Sequence, residues 1–351
     1  MKNGDNITAL DAQFEAQKIA FAPVIFQVVR TMRELDILKI LGDHKKGLTV
    51  DAISEKSSIK PYGIKVLLES ALSASVVVEN EGLYTLSKIG FFLQNDKMIK
   101  TNMDFNHYTN YKALYDLDKS IKEERPIGLK VFGEWSTIYP YLSQLPDDAQ
   151  RAWFNYDHYH SDTAFDDAIE KLKGFNPKKV LDIGGNTGKF SIHFAKNSTD
   201  THLTILDLPS QIALAKKNIR DNNLEDRVEF YSLDILDHNS KIPNGFDTIW
   251  MSQFIDCFSE EDAIKILSRV KESMDKNSRL CILEPLWDRQ RFEASSYAII
   301  NTSPYFTALA NGYSKMFNST DLFDYIHRAG LIVEESFDGL GDTHTLVKCK
   351  I

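Results

Sequence analysis

The residues best placed to do chemistry lie in one run, Val180-Leu181-Asp182-Ile183-Gly184-Gly185-Asn186-Thr187-Gly188. An apolar strand-like stretch ends in glycines, and a helical pattern follows. Glycine lets a backbone turn sharply and pass close to a ligand, and such sheets take ligands at the carboxyl ends of their strands. Starting at Gly184, a dinucleotide fingerprint would need glycine at 186 and 189, where Asn186 and Lys189 stand. A phosphate loop would need a Gly-Lys-Ser/Thr ending, which is absent. Asp182, just ahead of the glycines, would repel a pyrophosphate and suits a cationic amine.

Asp207 closes the next strand pattern, Leu203–Leu206, where a carboxylate can accept both hydroxyls of a ribose. Asp234 follows the third, in reach of an exocyclic adenine amine, and Ile235 can cover the ring. An amino acid, a ribose and an adenine without phosphate describe S-adenosylmethionine. Strand-end Asp and Gly are also ordinary turn residues. Three acids at three successive strand ends, with this loop, are harder to assign to turns.

The surrounding elements must hold these residues in one crevice. From Lys179 onward strands and helices alternate, the grammar of an open parallel sheet. Strands are expected at Val180–Ile183, Leu203–Leu206, Val228–Tyr231, Thr248–Met251 and Leu280–Leu283. Two more, near Leu331–Phe337 and Thr343–Lys350, have a short connection and should pair antiparallel. Ser259 with Asp262 forms a helix N-terminal capping pattern.

The first hundred residues read as helices. Apolar residues at helical spacing run from Phe21 to Leu41, with Gly42 as a stop signal. Thr49 opens a short helix through Ser54, and Pro61 starts a third that runs to about Ser75. Val76–Val78 and Leu83–Leu86 flank an Asn80-Glu81-Gly82 turn, which completes a winged helix. Its third helix carries only Lys60 and Lys65 as basic residues, and its body is apolar (Val66, Leu67, Leu68, Leu72). Such a face packs against a partner more readily than it reads bases. Residues 1–100 are therefore expected as one domain, 101–170 as aromatic-rich linking helices with a break near Pro126–Gly128, and 171–351 as the sheet domain.

The chain of 351 residues carries 41 basic and 50 acidic side chains, a formal net charge of −9. That balance argues against a nucleic-acid partner. No apolar run reaches the roughly 18 residues a membrane span needs. Cys257, Cys281 and Cys349 have no metal-like or redox-like spacing, and Met1–Asp11 is polar without an apolar signal core. A soluble, cytoplasmic protein is expected.

At this point the sequence resembles the small-molecule O-methyltransferases with an N-terminal winged-helix dimerisation domain. The likeness covers roughly residues 20–350 and rests on the 181–188 run, Asp207-Leu208-Pro209, Asp234 and Ser259-Glu260-Glu261-Asp262-Ala263, with weaker support from Phe154-Asn155 and Ala329-Gly330-Leu331. It implies a Rossmann-like class I methyltransferase domain, a mostly parallel sheet with an antiparallel C-terminal edge, behind a mainly α winged-helix domain. It also implies a homodimer and methyl transfer from sulfonium to a phenol-like group. The expected cofactor contacts are Asp182, Gly184, Gly185, Asn186, Asp207, Leu208, Asp234, Ile235 and Ser252.

The resemblance has gaps where the chemistry sits. The family carries His-Asp-Trp after the fourth strand, with the His as base; here Asp256-Cys257-Phe258 aligns. Glu284 matches the family acid beside the base, and the second acid expected near 316 is Met316. The family's substrate-contacting Met aligns with His158.

Asp256 is thus the base by position. An exposed carboxylate near pKa 4 is a weak match for a phenol near about 10, and burial beside Glu284 would raise it. His158, with Asp157 or Asp162 to orient it, is the alternative base or hydrogen-bond partner. His160, Asn301 and Asn311 are further substrate candidates, and Trp287, Tyr297, Tyr305 and Phe306 a candidate aromatic wall. His158 and His160, two residues apart, do not share a helix face, which disfavours a metal. The expected reaction is O-methylation of a small aromatic hydroxyl compound. The rivals are methylation at a ring carbon, a cofactor-binding protein that no longer transfers methyl, and a DNA regulator.

Overall fold

The computed structural model describes residues 7–351, and the polar stretch Met1–Asp11 lies partly outside the described residues. The chain divides after Asp104 into two compact units.

The first unit begins with a long helix, Ala9–Glu34, whose N-terminal N–H of Asp11 is capped by the Thr8 hydroxyl. The periodicity predicts one helix from Phe21 to Leu41, and the structure differs. The helix starts earlier, at Ala9, and breaks at Leu35-Asp36 before a second helix, Ile37–Asp43. Asp36 takes a left-handed φ of 56°, which its short polar side chain tolerates. The break re-aims Ile37, Leu38 and Leu41 into the core beside Met32. Thr49 caps the helix Val50–Ser57, and Pro61 opens the helix Pro61–Ser73.

The wing is β1 (Val77–Asn80) paired antiparallel with β2 (Leu83–Leu86). Its two turn residues, Glu81 and Gly82, both have positive φ, the requirement of a tight two-residue hairpin. Ile64, Leu68 and Ala71 face inward from Pro61–Ser73, whereas Tyr62 and Val66 are exposed. Along Ala9–Glu34, from its start to Val24, Leu10, Phe14, Ile19, Phe21 and Val24 are also exposed. Two short helices, Lys88–Asn95 and Lys97–Asp104, end the unit.

The second unit is built on seven strands: β3 (Lys179–Ile183), β4 (His202–Asp207), β5 (Val228–Ser232), β6 (Thr248–Ser252), β7 (Arg279–Glu284), β8 (Ile332–Leu340) and β9 (His344–Lys350). Their order is β5-β4-β3-β6-β7-β9-β8. The first five are parallel, and β9 pairs antiparallel with both β7 and β8. Gly341-Asp342-Thr343 is too short for a crossover, so β8 and β9 form a hairpin. The chain leaves β3 toward β4 and β5, then returns to the other side for β6. This reversal opens a crevice at the carboxyl end of β3.

Side chains alternate across each strand. Leu181, Ile183, Ile249 and Met251 pack with helices Glu260–Ser273 and Ser319–Arg328. Val180, Leu203, Ile205 and Trp250 pack with helices Asp147–Lys173, Lys189–Asn197 and Pro209–Asp221. A third cluster joins Phe105, Leu129, Trp153, Tyr305, Phe306 and Met316 into a helical cap within this unit. Among the described residues no helix is long and apolar enough to cross a membrane.

Candidate active site

A cavity of about 430 Å³ opens at the carboxyl ends of β3, β4 and β6 and runs under the helical cap. Asp182 is 2% exposed and accepts a hydrogen bond from the Ser191 hydroxyl at 2.6 Å. Burial pushes its carboxyl up to about 7. Removing a charge from water favours the neutral acid, and one neutral donor offsets this only in part.

The loop after Asp182 takes positive φ at Gly184, Asn186 and Gly188. A Cβ on Gly184 would lie 2.1 Å from the Phe254 ring, and one on Gly185 would lie 2.8 Å from Ile205 and 3.0 Å from the Asp182 carboxylate. Glycine is required at Gly184 by backbone shape and by space, and at Gly185 by space. The bare backbone also leaves a cradle facing the cavity.

Asp207 accepts from the backbone N–H groups of Asn186 (2.8 Å) and Leu208 (2.7 Å). Its carboxyl is pushed up to about 6 by burial, against those two donors. Asp234 stands exposed at the rim and accepts from the Leu236 N–H at 2.9 Å. Ile235 is buried beside it, and the Arg269 guanidinium pins its carbonyl at 2.5 Å.

Three buried polar atoms on this wall have no hydrogen-bond partner: Asn186 Oδ1, Ser252 Oγ and Gln253 Oε1. Buried polar groups are normally paired, so unmet ones on residues that line a cavity are consistent with a ligand supplying partners there. The donor set thus fits a phosphate-free nucleoside bearing an amine. It holds carboxylates for an ammonium and for hydroxyls, and no cluster of cations for phosphate.

The other half of the cavity is assembled from distant segments. The Glu284 carboxylate, 1% exposed, accepts from the N–H groups of Phe254 and Ile255, each at 3.0 Å. Glu284 does not reach the cavity wall, a correction to its expected catalytic role. It fixes the turn that carries Asp256. Burial holds its carboxyl well above the usual range, and the nearby Asp256 adds to this.

Asp256 does line the cavity, is 3% exposed, and receives a weak hydrogen bond from the Cys257 thiol at 3.5 Å. Burial pushes its carboxyl up to about 7.

His158 lines the cavity with its Nε2 3.4 Å from the Thr187 hydroxyl. Burial, and then the charge of Lys189, lower it to about 4, which keeps the imidazole neutral. Asp162 is taken by Lys189 at 2.6 Å, and Asp157 Oδ2 lies 3.9 Å from the imidazole, beyond hydrogen-bond reach. Neither carboxylate hydrogen-bonds the ring, contrary to the expectation that Asp157 or Asp162 orients it.

His160 is buried off the wall, its ring 4.7 Å from that of Tyr156. Asn301 is exposed, donates to the Tyr297 carbonyl at 2.8 Å, and is likewise off the wall. The structure therefore does not bring His160 or Asn301 to the cavity. Asn311 lines it, but its amide is committed to the Cys257 carbonyl (2.6 Å), the Ser314 hydroxyl (2.9 Å) and the N–H of Tyr313 (3.1 Å). Of the expected aromatic wall, Tyr305 and Phe306 face the cavity, Trp287 packs behind them and Tyr297 is exposed.

Phe105, Trp153, Tyr156 and Asp157 also line the cavity. Phe105 stacks on Tyr156 at 3.9 Å, and the Trp153 indole N–H donates to the Tyr305 hydroxyl at 2.6 Å. Trp153, Asp157 and Ser161 recur every four residues on the helix Asp147–Lys173. That periodicity was the available signal for this wall.

Two family profiles match the chain: the O-methyltransferase domain over residues 114–323 and the Dimerisation2-like domain over residues 13–84. The chain is similar to L-tyrosine C(3)-methyltransferase of Streptomyces lavendulae, with 24% identity over 76% of this chain and 73% of that protein. Its fold is similar to the S-adenosylmethionine-dependent methyltransferase SibL, with a TM-score of 0.73 and 18% identity over 95% of this chain and 97% of that one. It is also similar in fold to NcsB1, an O-methyltransferase from neocarzinostatin biosynthesis (TM-score 0.68, 17% identity, 93% of this chain and 95% of that one). NcsB1 was solved in complex with S-adenosylmethionine and 2-hydroxy-5-methyl naphthoic acid.

Proposed function

The chain belongs to the O-methyltransferase-domain family and is an S-adenosylmethionine-dependent methyltransferase; from that premise we propose that its acceptor is the hydroxyl of a small aromatic compound held against Asp256. The observation that carries this reading is a single cavity joining a glycine-and-carboxylate half to an aromatic half, with Asp256 on its wall.

In this reading Asp182 receives the ammonium of the cofactor, Asp207 its ribose hydroxyls and Asp234 its adenine amine. Ile235 and Leu208 cover the base, Gly184 and Gly185 admit the chain closely, and Asn186 and Ser252 satisfy remaining polar atoms. When bound, S-adenosylmethionine supplies an electrophilic methyl group on a cationic sulfur.

The protein's own task is then to orient the acceptor, exclude water and take one proton. Tyr156, Tyr305 and Phe306 wall a flat ring. Asp256 takes the hydroxyl proton, and its carboxyl at about 7 is far better matched to that task than an exposed one. His158, neutral and on the wall, hydrogen-bonds the acceptor. Glu284 acts through Asp256, as a positioning residue.

Methylation at a ring carbon is the second reading. It is favoured by a carboxylate where the family has a histidine, and by the C-methyltransferase relative named above. A labelled-methyl assay over a panel of phenols separates the two, because O-methylation alone removes the phenol's titration near pH 10. Absence of label in every phenol, on protein that binds the cofactor, would contradict both.

The domain roles follow the same logic. Residues 1–100 serve dimerisation, 101–170 shape the substrate pocket and 171–351 hold the cofactor. The dimerisation-domain match and the exposed Leu10, Phe14, Phe21 and Val24 support a homodimer. Light scattering of the Phe14→Asp, Phe21→Asp double variant should give a monomer mass; an unchanged dimer would contradict this role. Three free thiols suit a reducing cytoplasm.

A further inference from the structure

The charged groups on the cavity wall do not balance. Asp157, Asp182, Asp207, Asp234 and Asp256 all face it, and no arginine does. Among the described residues Lys189 is the one lysine on the wall, and Asp162 already holds it at 2.6 Å. His158 is neutral. Three of the carboxylates are assigned to the cofactor and Asp256 to the acceptor's proton. Asp157 is left over.

Asp157 sits where the aromatic wall meets the glycine loop. It follows Tyr156 directly, and its carboxylate lies 3.4 Å from the Asn186 amide, a long and weak contact. Its side chain is 25% exposed, and it lines the cavity. Burial, with the negative charges of Asp162 and Asp256, pushes its carboxyl up to about 7, although Lys189 and Asn186 oppose this. A cavity-facing carboxylate with so little compensation from the chain is open to a cation brought by a ligand.

We propose that the acceptor is an aromatic amine, and that Asp157 receives its protonated amino group. This rests on the methyltransferase reading above and names the acceptor class for the same site. The ammonium fixes one end of the acceptor at the helix Asp147–Lys173 and leaves the hydroxyl end for Asp256. An aromatic acid of equal size would meet the two carboxylates the cofactor leaves free, Asp157 and Asp256, and a lysine already paired, so the same wall selects against it.

The test is calorimetric binding to the full chain saturated with S-adenosylhomocysteine, at pH 7.5. The probes are tyramine, 4-ethylphenol and 3-(4-hydroxyphenyl)propionate, which share one shape and differ in charge. Tyramine should bind at least about 10-fold more tightly than 4-ethylphenol, and the propionate most weakly. In Asp157→Asn the tyramine advantage should vanish while 4-ethylphenol affinity stays within about twofold. Asp157→Ser provides a second variant, and circular dichroism confirms that each is folded.

Equal binding of the three probes, preferred binding of the acid, or no binding of any of them overturns the proposal. So does a tyramine advantage that survives in both variants. A selective loss of S-adenosylmethionine over S-adenosylhomocysteine affinity in Asp157→Asn, with the tyramine advantage intact, would give the carboxylate to the cofactor's sulfur instead. Failure of the wild-type chain to bind S-adenosylhomocysteine at all would sink the methyltransferase reading itself, a different result from the others.

Discussion

On the side of the cavity proposed for the cofactor, Asp182, the glycine loop, Asp207, Asp234 and Ile235 come from one stretch, residues 182–235, with Ser252 close behind. On the acceptor side the wall is gathered from Phe105, the Trp153–Asp157 turn, Asp256 and the Tyr305–Met316 segment. The first is built on strand ends and backbone geometry. Its carboxylates take backbone or hydroxyl donors 1, 9 and 21 residues away, all within the span 182–208. The second is built on side-chain packing between helices, and a buried acid behind it, Glu284, holds the key turn. A cofactor that never changes can be held by backbone. An acceptor wall made only of side chains is free to vary in shape and charge.

That contrast predicts separable defects. The largest should come from Asp256→Asn, with kcat down by roughly 100-fold or more and cofactor affinity within about twofold of wild type. A matched loss of cofactor affinity would place Asp256 in the wrong half. Next, Asp182→Ala should weaken S-adenosylmethionine binding by about 100-fold, the worth of a buried charged hydrogen bond, measured by calorimetry. Loss of kcat at saturating cofactor, with Kd unchanged, would break the division.

Gly184→Ala should weaken cofactor binding about 10-fold, since the new Cβ must displace Phe254 from a position 2.1 Å away and φ is +74°. An undiminished affinity would show that the loop is not the cradle. Smallest is Ser191→Ala, which removes one donor to Asp182 and should cost about 5-fold in affinity.

The pH dependence sharpens the same line. Asp182 must be ionised to receive an ammonium, and its carboxyl sits at about 7 in the ligand-free chain. Binding below that pH must expel a proton, so affinity should weaken by up to about tenfold per pH unit from pH 7 downward. Ser191→Ala should move this limb upward, because a donor that favours the charged form is gone. A flat profile between pH 5 and 7 would mean that Asp182 is not the group engaged. Turnover should carry its own acid limb near pH 7 from Asp256, whose ionised form takes the proton.

The two halves also differed in how much of them the residues disclosed. The strand ends and glycine loop were legible because local constraints dictate residue type there: positive φ calls for glycine, and β3 must end where Asp182 stands. All seven strands and the antiparallel pair, β8 and β9, follow from short strand-like runs alternating with helical patterns and from connection length. Helix breaks were less legible. Asp36 ends a helix that apolar spacing alone would carry on to Leu41, because the turn is set by where Ile37 and Leu38 must pack.

The acceptor wall was least legible. Asn301 and His160 share a segment with true wall residues but face elsewhere, since one helical residue turns a side chain by about 100°. Glu284 stands next to the site in sequence pattern, yet spends its carboxylate on two backbone N–H groups. Asp157 reads from the sequence as a partner for an imidazole, which it does not reach.

The most direct check is a crystal structure of the chain with S-adenosylhomocysteine and a phenol. It should show the ammonium within about 3.2 Å of the Asp182 carboxylate, the ribose hydroxyls on Asp207, the adenine amine at Asp234 and the acceptor oxygen beside Asp256. A nucleoside bound elsewhere, or an acceptor oxygen with Asp256 out of reach, would contradict this account.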